Sequence, residues 1–199
     1  MFRNIPARME TRMRELAAID ARDRADGTPQ DARLRQVPEA TGRFLAILAA
    51  CSPRGRVLEI GTSAGYSAMW ISLGCKEKQT TLTTFEVSPD KIRIARETLK
   101  LAGIETMVQA VEGDARDHLP AYNDVAFCFL DAEKDVYVDC YELVVPRLVR
   151  GGLLVADNVI SHRDALRSFL RIALADDRVD SLVVPIGNGL LTCRRNAPP

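Results

Sequence analysis

Residues 57–67 read Val57-Leu58-Glu59-Ile60-Gly61-Thr62-Ser63-Ala64-Gly65-Tyr66-Ser67. A short apolar run leads through a loop with two glycines into a helical pattern that begins at Ser67. A strand, a glycine loop and a helix in this order are typical of the first unit of a parallel α/β sheet. Because ligands of such sheets bind beyond the carboxyl ends of the strands, this segment predicts a fold class and the edge where a ligand would lie.

The same alternation of apolar runs and helical patterns continues along the chain. Further apolar runs lie at Thr80–Val87, Met107–Val111, Val125–Leu130, Leu153–Ala156, Ser181–Ile186 and Leu190–Cys193. Helical patterns lie between them at Pro89–Leu101, Val136–Leu148 and Arg163–Ala175. Strands that are apolar on both faces indicate a parallel sheet covered by helices on both sides, and Asn188-Gly189 indicates a hairpin. We therefore expect an α/β, Rossmann-like, doubly wound sheet of seven strands, mostly parallel, with an antiparallel C-terminal strand.

The first 35 residues are polar and rich in arginine, with one apolar stripe. Its members are Ile5, Met9, Met13, Leu16 and Ile19. Their spacing keeps one face of a helix. We assign residues 1–35 to an N-terminal helical extension and residues 36–199 to the core that would carry the chemistry, within a single domain 1–199. The stripe either covers the chain's own core or is exchanged with a second subunit, and the second interpretation predicts a homodimer.

Composition argues against several classes of protein. The chain has 199 residues, 47% of them hydrophobic, with 27 Lys+Arg balanced by 27 Asp+Glu, which is unlike a disordered chain. A net charge of zero argues against a nucleic-acid partner, since such proteins usually carry a basic excess. No apolar run approaches the roughly 18 residues of a membrane span. Five cysteines without a C-x-x-C pair indicate reduced thiols in a cytoplasmic protein rather than a disulfide framework or a zinc site.

Three successive strand ends carry glycine or an acid. Gly61 and Gly65 follow the first strand, Glu86 ends the second and Asp114 follows the third. An acid at the end of the second strand is suited to accept ribose hydroxyls. The loop lacks the G-x-G-x-x-G spacing of a dinucleotide cradle. The combination predicts a nucleoside-containing ligand, with ordinary turn chemistry as the alternative.

A second group of polar residues follows the fourth and fifth strands. Asp131 follows one strand, and Asp157 with Asn158 follows the next. Two carboxylates and an amide form an all-oxygen donor set suited to Mg²⁺, Mn²⁺ or Ca²⁺. The alternative is that Asp157 and Asn158 only cap the loop, as these residue types often do.

Lys134 lies three residues after Asp131. Only five of the 27 basic residues are lysines, so a site that needed positive charge alone would more readily hold arginine. Lysine differs from arginine because it can act as a base. Lys134 is therefore a candidate base, with a solvated loop lysine as the alternative.

Taken together, these motifs resemble a known family. The matching residues are Glu59-Ile60-Gly61-Thr62-Ser63-x-Gly65-Tyr66-Ser67, Glu86, Leu130-Asp131-x-x-Lys134-x-x-Tyr137 and Ala156-Asp157-Asn158-Val159. They resemble the class I S-adenosylmethionine-dependent, divalent-metal-dependent O-methyltransferases of the catechol and caffeoyl-CoA type, in a short, bacterial-like form. The similarity extends from Gln36 to Arg194. The chain departs from the longer relatives in the segment Val159–His162, which is short and implies an open acceptor pocket.

The resemblance implies a role for each matching position. S-adenosylmethionine would lie over the glycine loop, with Glu59 orienting that loop, and the metal would be Mg²⁺, or Mn²⁺ or Ca²⁺. The implied cofactor residues are Val37, Glu59, Gly61, Thr62, Gly65, Ser67, Glu86, Asp114, Ala115 and Asp131. The implied metal ligands are Asp131, Asp157 and Asn158, and the implied base is Lys134.

These roles lead us to expect methyl transfer to a hydroxyl of a small catechol-like acceptor. A tRNA hydroxyuridine methyltransferase using the same site is one alternative, although the neutral charge counts against it. An NAD(P)-dependent oxidoreductase is a second, disfavoured by the missing G-x-G-x-x-G. A non-catalytic binding module is a third, disfavoured because the chain keeps the acids and the lysine together.

Overall fold

A seven-stranded sheet is the centre of this computed structural model, which describes residues 1–29 and 32–197. The strands are β1 (Arg56–Ile60), β2 (Leu82–Glu86), β3 (Val108–Glu112), β4 (Val125–Leu130), β5 (Leu148–Ala156), β6 (Val179–Val184) and β7 (Leu190–Arg195). Their order across the sheet is β3-β2-β1-β4-β5-β7-β6. All neighbours are parallel except that β7 runs antiparallel to both β5 and β6. The predicted fold class is confirmed.

Helices cover both faces of the sheet. They are α1 (Ala7–Ala25), α2 (Glu39–Cys51), α3 (Tyr66–Lys78), α4 (Pro89–Ala102), α5 (Ala115–His118), α6 (Tyr137–Val144) and α7 (Arg167–Leu174). Alternate residues of β1 point to opposite faces: Val57 joins the apolar cluster under α1–α4, whereas Leu58 and Ile60 join the cluster under α5–α7. The chain order reverses between β1 and β4, which opens a crevice at their carboxyl ends.

The apolar stripe of α1 is covered by the chain itself. Met9, Met13 and Leu16 are buried in the cluster they share with α2, α3 and α4. Arg12 fixes this packing, because its guanidinium donates to Thr98 Oγ1 of α4 at 3.0 and 3.1 Å. The first interpretation of the stripe is therefore the one observed, and the stripe does not by itself require a second subunit.

Several element ends differ from the sequence expectation. Helix α6 stops at Val144, before a short 3₁₀ turn that contains Pro146, because proline has no backbone N–H to donate to the carbonyl four residues earlier. Strand β5 begins at Leu148 rather than Leu153 and passes through Gly151, whose φ is 76°. The hairpin at Asn188-Gly189 is present between β6 and β7.

No helix among residues 1–29 and 32–197 is long and apolar enough to cross a membrane.

Candidate functional site

The glycine loop after β1 lies directly against the loop after β4. Gly61 has φ 99°, and a Cβ built there would lie 2.2 Å from the backbone oxygen of Asp131. The amides of Gly61 and Thr62 both donate to Phe85 O, at 3.0 and 3.1 Å. Only glycine allows this approach, so the loop joins the first, second and fourth strand ends in one place.

Glu86 ends β2 beneath this loop. Its Oε2 accepts from the amide of Ser63 at 2.8 Å, and its Oε1 accepts from the amide of Ser88 at 2.9 Å. The residue is 8% exposed. Each carboxylate oxygen keeps a further lone pair, so the side chain is fixed in position and still able to accept hydrogen bonds from two hydroxyls.

Glu59 is fully buried within β1. Its Oε2 accepts from Thr84 Oγ1 at 2.6 Å, and the Thr84 hydroxyl also shares a hydrogen bond with that of Thr62. Burial raises the pKa of Glu59 to about 7, while Ser67 and Thr84 act in the opposite direction. Oε1 has no hydrogen-bond partner in the part of the chain that the structure describes. A buried oxygen of this kind fits a site that a polar ligand completes.

Two more of the expected cofactor residues line the entry to α3 and the segment before α2. Ser67 and Val37 are 7% and 6% exposed. Gly65 precedes α3 with φ 83°, and a Cβ there would meet nothing closer than Thr98 Cγ2 at 3.5 Å. The turn before α3 therefore depends on glycine for its backbone angle rather than for space.

Asp114 caps α5 and is held by an arginine. Its carboxylate accepts from the backbone and the guanidinium of Arg116, which also pairs with Asp139 at 2.9 Å. The hydrogen bonds from Arg116 lower the pKa of Asp114. Ala115 beside it is buried. The expected adenine contact would have to share Asp114 with Arg116, a competition that the sequence did not indicate.

The acids of the fourth and fifth strand ends meet. Leu130 and Ala156 are register partners in neighbouring parallel strands, so the residues after them come together. The side-chain Nδ2 of Asn158 donates to Asp131 Oδ1 at 2.7 Å, and the backbone N–H of Asn158 donates to Asp157 Oδ1 at 2.7 Å. Asn158 has φ 67°, a left-handed backbone conformation that asparagine adopts more readily than most residues. In this conformation its side chain contacts Asp131 and its backbone N–H contacts Asp157.

Two carboxyl groups held this closely perturb each other. The pKa of Asp157 is raised to about 7, first by burial and then by the negative charge of Asp131. Burial also raises the pKa of Asp131, and Lys134 opposes that rise. A cation bound between Asp131 and Asp157 would lower the pKa of both carboxyl groups and so favour their ionised forms.

Lys134 reaches back over the acids. Its Nζ donates to Ala132 O at 2.8 Å and to Tyr137 OH at 3.1 Å, and it lies 3.5 Å from Asp131 Oδ1. The Tyr137 hydroxyl in turn donates to Asp157 O at 3.1 Å. The Lys134 ammonium also lies 4.9 Å from the centre of the Tyr137 ring. A buried tyrosine thus holds the lysine beside the two carboxylates.

The chemistry of this set fits a hard divalent ion. Among the described residues no three His, Cys, Asp or Glu side chains form a metal-binding group. The predicted set contains only two, Asp131 and Asp157, and completes itself with the amide of Asn158. Half a turn of that carboxamide exchanges its two ends and would bring its oxygen beside Asp131 Oδ1 in place of Nδ2. Oxygen donors of this type suit Mg²⁺, Mn²⁺ or Ca²⁺.

The short segment after β5 is supported by the β6–β7 hairpin. The amide of Val159 donates to Gly189 O at 3.0 Å, and the amides of Ile160 and Ser161 both donate to Asn188 O, at 3.1 and 3.0 Å. A groove of about 680 Å³ lies next to this segment, between it, α7 and β6. Its lining includes Val159, Ile160, Arg163, Arg167, Leu170 and Leu174. The groove does not include the acids or Lys134 and lies to one side of them.

Four residues at the site had no assigned role from the sequence. They are Arg35, Ser63, Thr84 and Tyr137. The motif containing Tyr137 was visible, but its hydroxyl contact to the backbone of Asp157 depends on how α6 packs. The left-handed backbone of Ser63, with φ 46°, has no signal in a serine, and neither does the long-range pairing of Arg35.

Comparison with known proteins identifies the family and supports the fold. A protein family described as O-methyltransferase matches residues 23–196. A catechol O-methyltransferase of Mycobacterium tuberculosis is 36% identical over 146 residues, which cover 72% of this chain and 64%, less than two thirds, of that relative. The crystal structure of cofactor-bound Rv0187 from MTB superposes with a TM-score of 0.77 at 28% identity, covering 92% of this chain and 90% of that one. An O-methyltransferase from Bacillus cereus in complex with SAH shares the fold, with a TM-score of 0.77 at 24% identity over 94% of this chain and 91% of that one.

Proposed function

This chain belongs to the O-methyltransferase family, and on that premise we propose that it methylates one hydroxyl of a small aromatic acceptor with two adjacent hydroxyls, held by a divalent metal ion. The enzyme class, an S-adenosylmethionine-dependent O-methyltransferase, follows from the family and its relatives. Family membership also sets aside the oxidoreductase alternative. The acceptor, the metal and the roles of individual residues are the proposal.

One observation carries the proposal: Asp131 belongs to both halves of the site. Its backbone oxygen lies against Gly61 of the glycine loop, and its side chain is bonded to Asn158 and faces Lys134. A group held at the glycine loop and a group held at the acids would therefore lie next to each other. Transfer between two bound reactants requires that proximity.

The residues of the first half would bind the methyl donor. Glu86, fixed by two backbone amides, would accept hydrogen bonds from the ribose hydroxyls. Val37 and Ser67 would contact the amino-acid part, and Asp114 with Ala115 the adenine. Glu59 holds the loop in place through Thr84. Gly61, Thr62 and Gly65 would provide the backbone on which the donor lies.

The residues of the second half would bind and activate the acceptor. Asp131, Asp157 and Asn158 would hold the metal. When bound, the metal would lower the pKa of a chelated hydroxyl, and S-adenosylmethionine would supply the methyl group. We propose that Lys134 Nζ, 3.5 Å from Asp131 Oδ1, first loses a proton to solvent and then, as the neutral amine, takes the proton of that hydroxyl. Tyr137 keeps it there through the 3.1 Å hydrogen bond.

A catechol-like acceptor is favoured because two adjacent hydroxyls can bind one metal ion together. The relative from Mycobacterium tuberculosis is named a catechol O-methyltransferase, which supports this class. From the short segment Val159–His162 we infer an acceptor pocket that is open enough for a planar ring. Methylation of a tRNA hydroxyuridine by the same site is the second candidate, and the net charge of zero counts against it.

We carry the homodimer and the cytoplasmic location over from the sequence as part of the proposal. The apolar stripe of α1 no longer supports the homodimer, because α1 packs on its own chain. Light scattering at micromolar concentration tests the dimer, and a monomer there would reject it.

A methyl-transfer assay tests the function directly. The purified chain is incubated with S-adenosylmethionine and a panel of catechols, caffeoyl esters and total tRNA, with Mg²⁺ and with excess chelator. We expect transfer to catechols that stops with chelator. Transfer to tRNA alone would establish the second candidate, and full activity in chelator would remove the metal from the proposal.

A further inference from the structure

Residues 34–37, here called the N-terminal strap, lie between α1 and α2 and contact the loops of the site. Leu34 O accepts from Ser63 Oγ of the glycine loop at 2.6 Å. The guanidinium of Arg35 pairs with Glu133 of the loop after β4. The amide of Gln36 donates to Asp20 of α1 at 3.3 Å. The strap is thus tied to the cofactor half of the site, to the acceptor half and to the N-terminal helix.

Arg35 is held in an unusual conformation. Its φ is 49°, a left-handed backbone that is uncommon for residues other than glycine and often marks functional sites. Its side chain is 36% exposed. Glu133 raises the pKa of Arg35 through a hydrogen bond, and the charges of Asp131 and Glu86 add to that effect. The guanidinium therefore lies within electrostatic range of both the proposed metal acid and the proposed ribose acid.

Each end of the Arg35–Glu133 pair is next to a residue of the proposed machinery. Val37, proposed to contact the methyl donor, lies two residues after Arg35. Lys134, the proposed base, directly follows Glu133. The pair is the connection between the strap and the loop that carries Lys134.

We propose that the Arg35–Glu133 ion pair is a latch that holds the strap closed over bound S-adenosylmethionine, and that both residues position the cofactor without touching the transferred methyl group. This inference rests on the proposed function. The two side chains are 36% and 62% exposed, and ion pairs of that exposure are weak. A weak latch closes over the cofactor and still opens at each turnover to release the demethylated product.

The test is a double-mutant cycle with Arg35→Gln, Glu133→Gln and the double variant. Stopped-flow fluorescence gives the dissociation rate of the demethylated cofactor product, and steady-state kinetics give the KM for S-adenosylmethionine and kcat. Glu142→Gln is the matched control, because Glu142 is 45% exposed and pairs with Arg178 across 36 residues, away from the site.

We expect each single variant to raise the dissociation rate and the KM about two- to fivefold, the range that an exposed ion pair supplies. The double variant should be no worse than either single one, since both changes break the same contact. Thermal midpoints and the Glu142→Gln control should stay at wild-type values. Additive effects, or no change in dissociation rate, would overturn the latch. A wild-type chain that binds neither form of the cofactor would instead overturn the proposed function.

Discussion

The backbone oxygen of Asp131 occupies the space that a side chain at Gly61 would need. A Cβ at Gly61 would lie 2.2 Å from that oxygen and 2.7 Å from the carbonyl carbon. Because both neighbours are backbone atoms, neither can turn aside as a flexible side chain would. The two loops that would carry the methyl donor and the metal are thus in contact through one glycine.

Gly61→Ala should therefore destabilise the protein and weaken both halves of the site together. We expect a loss of unfolding free energy of at least about 1–3 kcal/mol, from the strained backbone and the clash. Urea denaturation measures it. Gly65→Ala is the control, because its φ of 83° is also left-handed but its Cβ would have ordinary contacts. Equal losses in the two variants would show that only the backbone angle matters.

Glu86→Ala should weaken binding of S-adenosylmethionine by roughly 1–3 kcal/mol, the cost of leaving hydrogen bonds to a charged group unmade. The variant also frees the amides of Ser63 and Ser88 that the carboxylate now holds. Isothermal calorimetry measures the affinity, with NAD as the negative control. Tight binding of NAD to the wild-type chain would contradict the assignment of this pocket.

Asp157→Ala should weaken metal binding while the fold persists. Loss of an outer-shell partner typically lowers metal affinity 10- to 100-fold, so loss of a ligand should cost at least about tenfold. Calorimetric titration with Mn²⁺ measures the affinity, and circular dichroism checks the fold. Unchanged Mn²⁺ affinity would assign Asp157 to loop capping alone.

Lys134→Arg and Lys134→Ala separate a base from a positive charge. Arginine keeps the charge near Asp131 but does not give up its proton at the working pH. If Lys134 is the base, both variants should lose turnover by roughly 10²–10⁴-fold, with metal and cofactor affinity retained. Near-normal turnover in the arginine variant would leave the metal alone to activate the hydroxyl.

Glu59 should make the metal-free protein less stable as the pH rises. Its pKa is raised from 4.5 to about 7 by burial, so the folded state holds a proton that the unfolded state has released between these values. The contribution of Glu59 to stability is therefore greatest below about pH 4.5 and is lost as the pH rises through 7. Glu59→Gln should remove this dependence, by at most about 3 kcal/mol between pH 5 and 8.

Chemical denaturation of both proteins in chelator, at several pH values, gives the difference curve. Asp157 titrates in the same range but is present in both proteins, so its contribution cancels. A flat difference between wild type and Glu59→Gln would show that the carboxyl is charged in the folded state throughout.

The sheet could be predicted from the sequence because its signals are local. The apolar run before Gly61, the spacing of the runs after it and the Asn188-Gly189 turn each indicate their own structure, and the structure contains all three. The start of helix α7 could not be predicted as well. It begins at Arg167 rather than near Arg163, because the residues before it are held in turns by bonds to Asn158 and His162.

The candidate site was predictable where it lies at strand ends and not where it depends on distant partners. Parallel strands bring their carboxyl ends together, so the meeting of Asp131 with Asn158 followed from register alone. Arg35 and Glu133 are 98 residues apart in the sequence. The chain contains 22 arginines, and nothing in the sequence singles out Arg35 as the partner of Glu133. Asp114 was expected to be available, but its nearest partner is an arginine two residues on.

The bonds between the segment after β5 and the hairpin bear on how acceptor preference could diverge or be redesigned. Three amides at 159–161 donate to two carbonyls at 188–189, so the two segments form one exchangeable unit although they are far apart in sequence. A graft that replaces 159–162 with a longer loop from a relative, and keeps the hairpin, would leave the oxygen of Asn188 without its two donors. Chimeras that exchange both segments together should keep their stability, and those that exchange either one alone should lose roughly 1–3 kcal/mol of unfolding free energy for each group left unpaired.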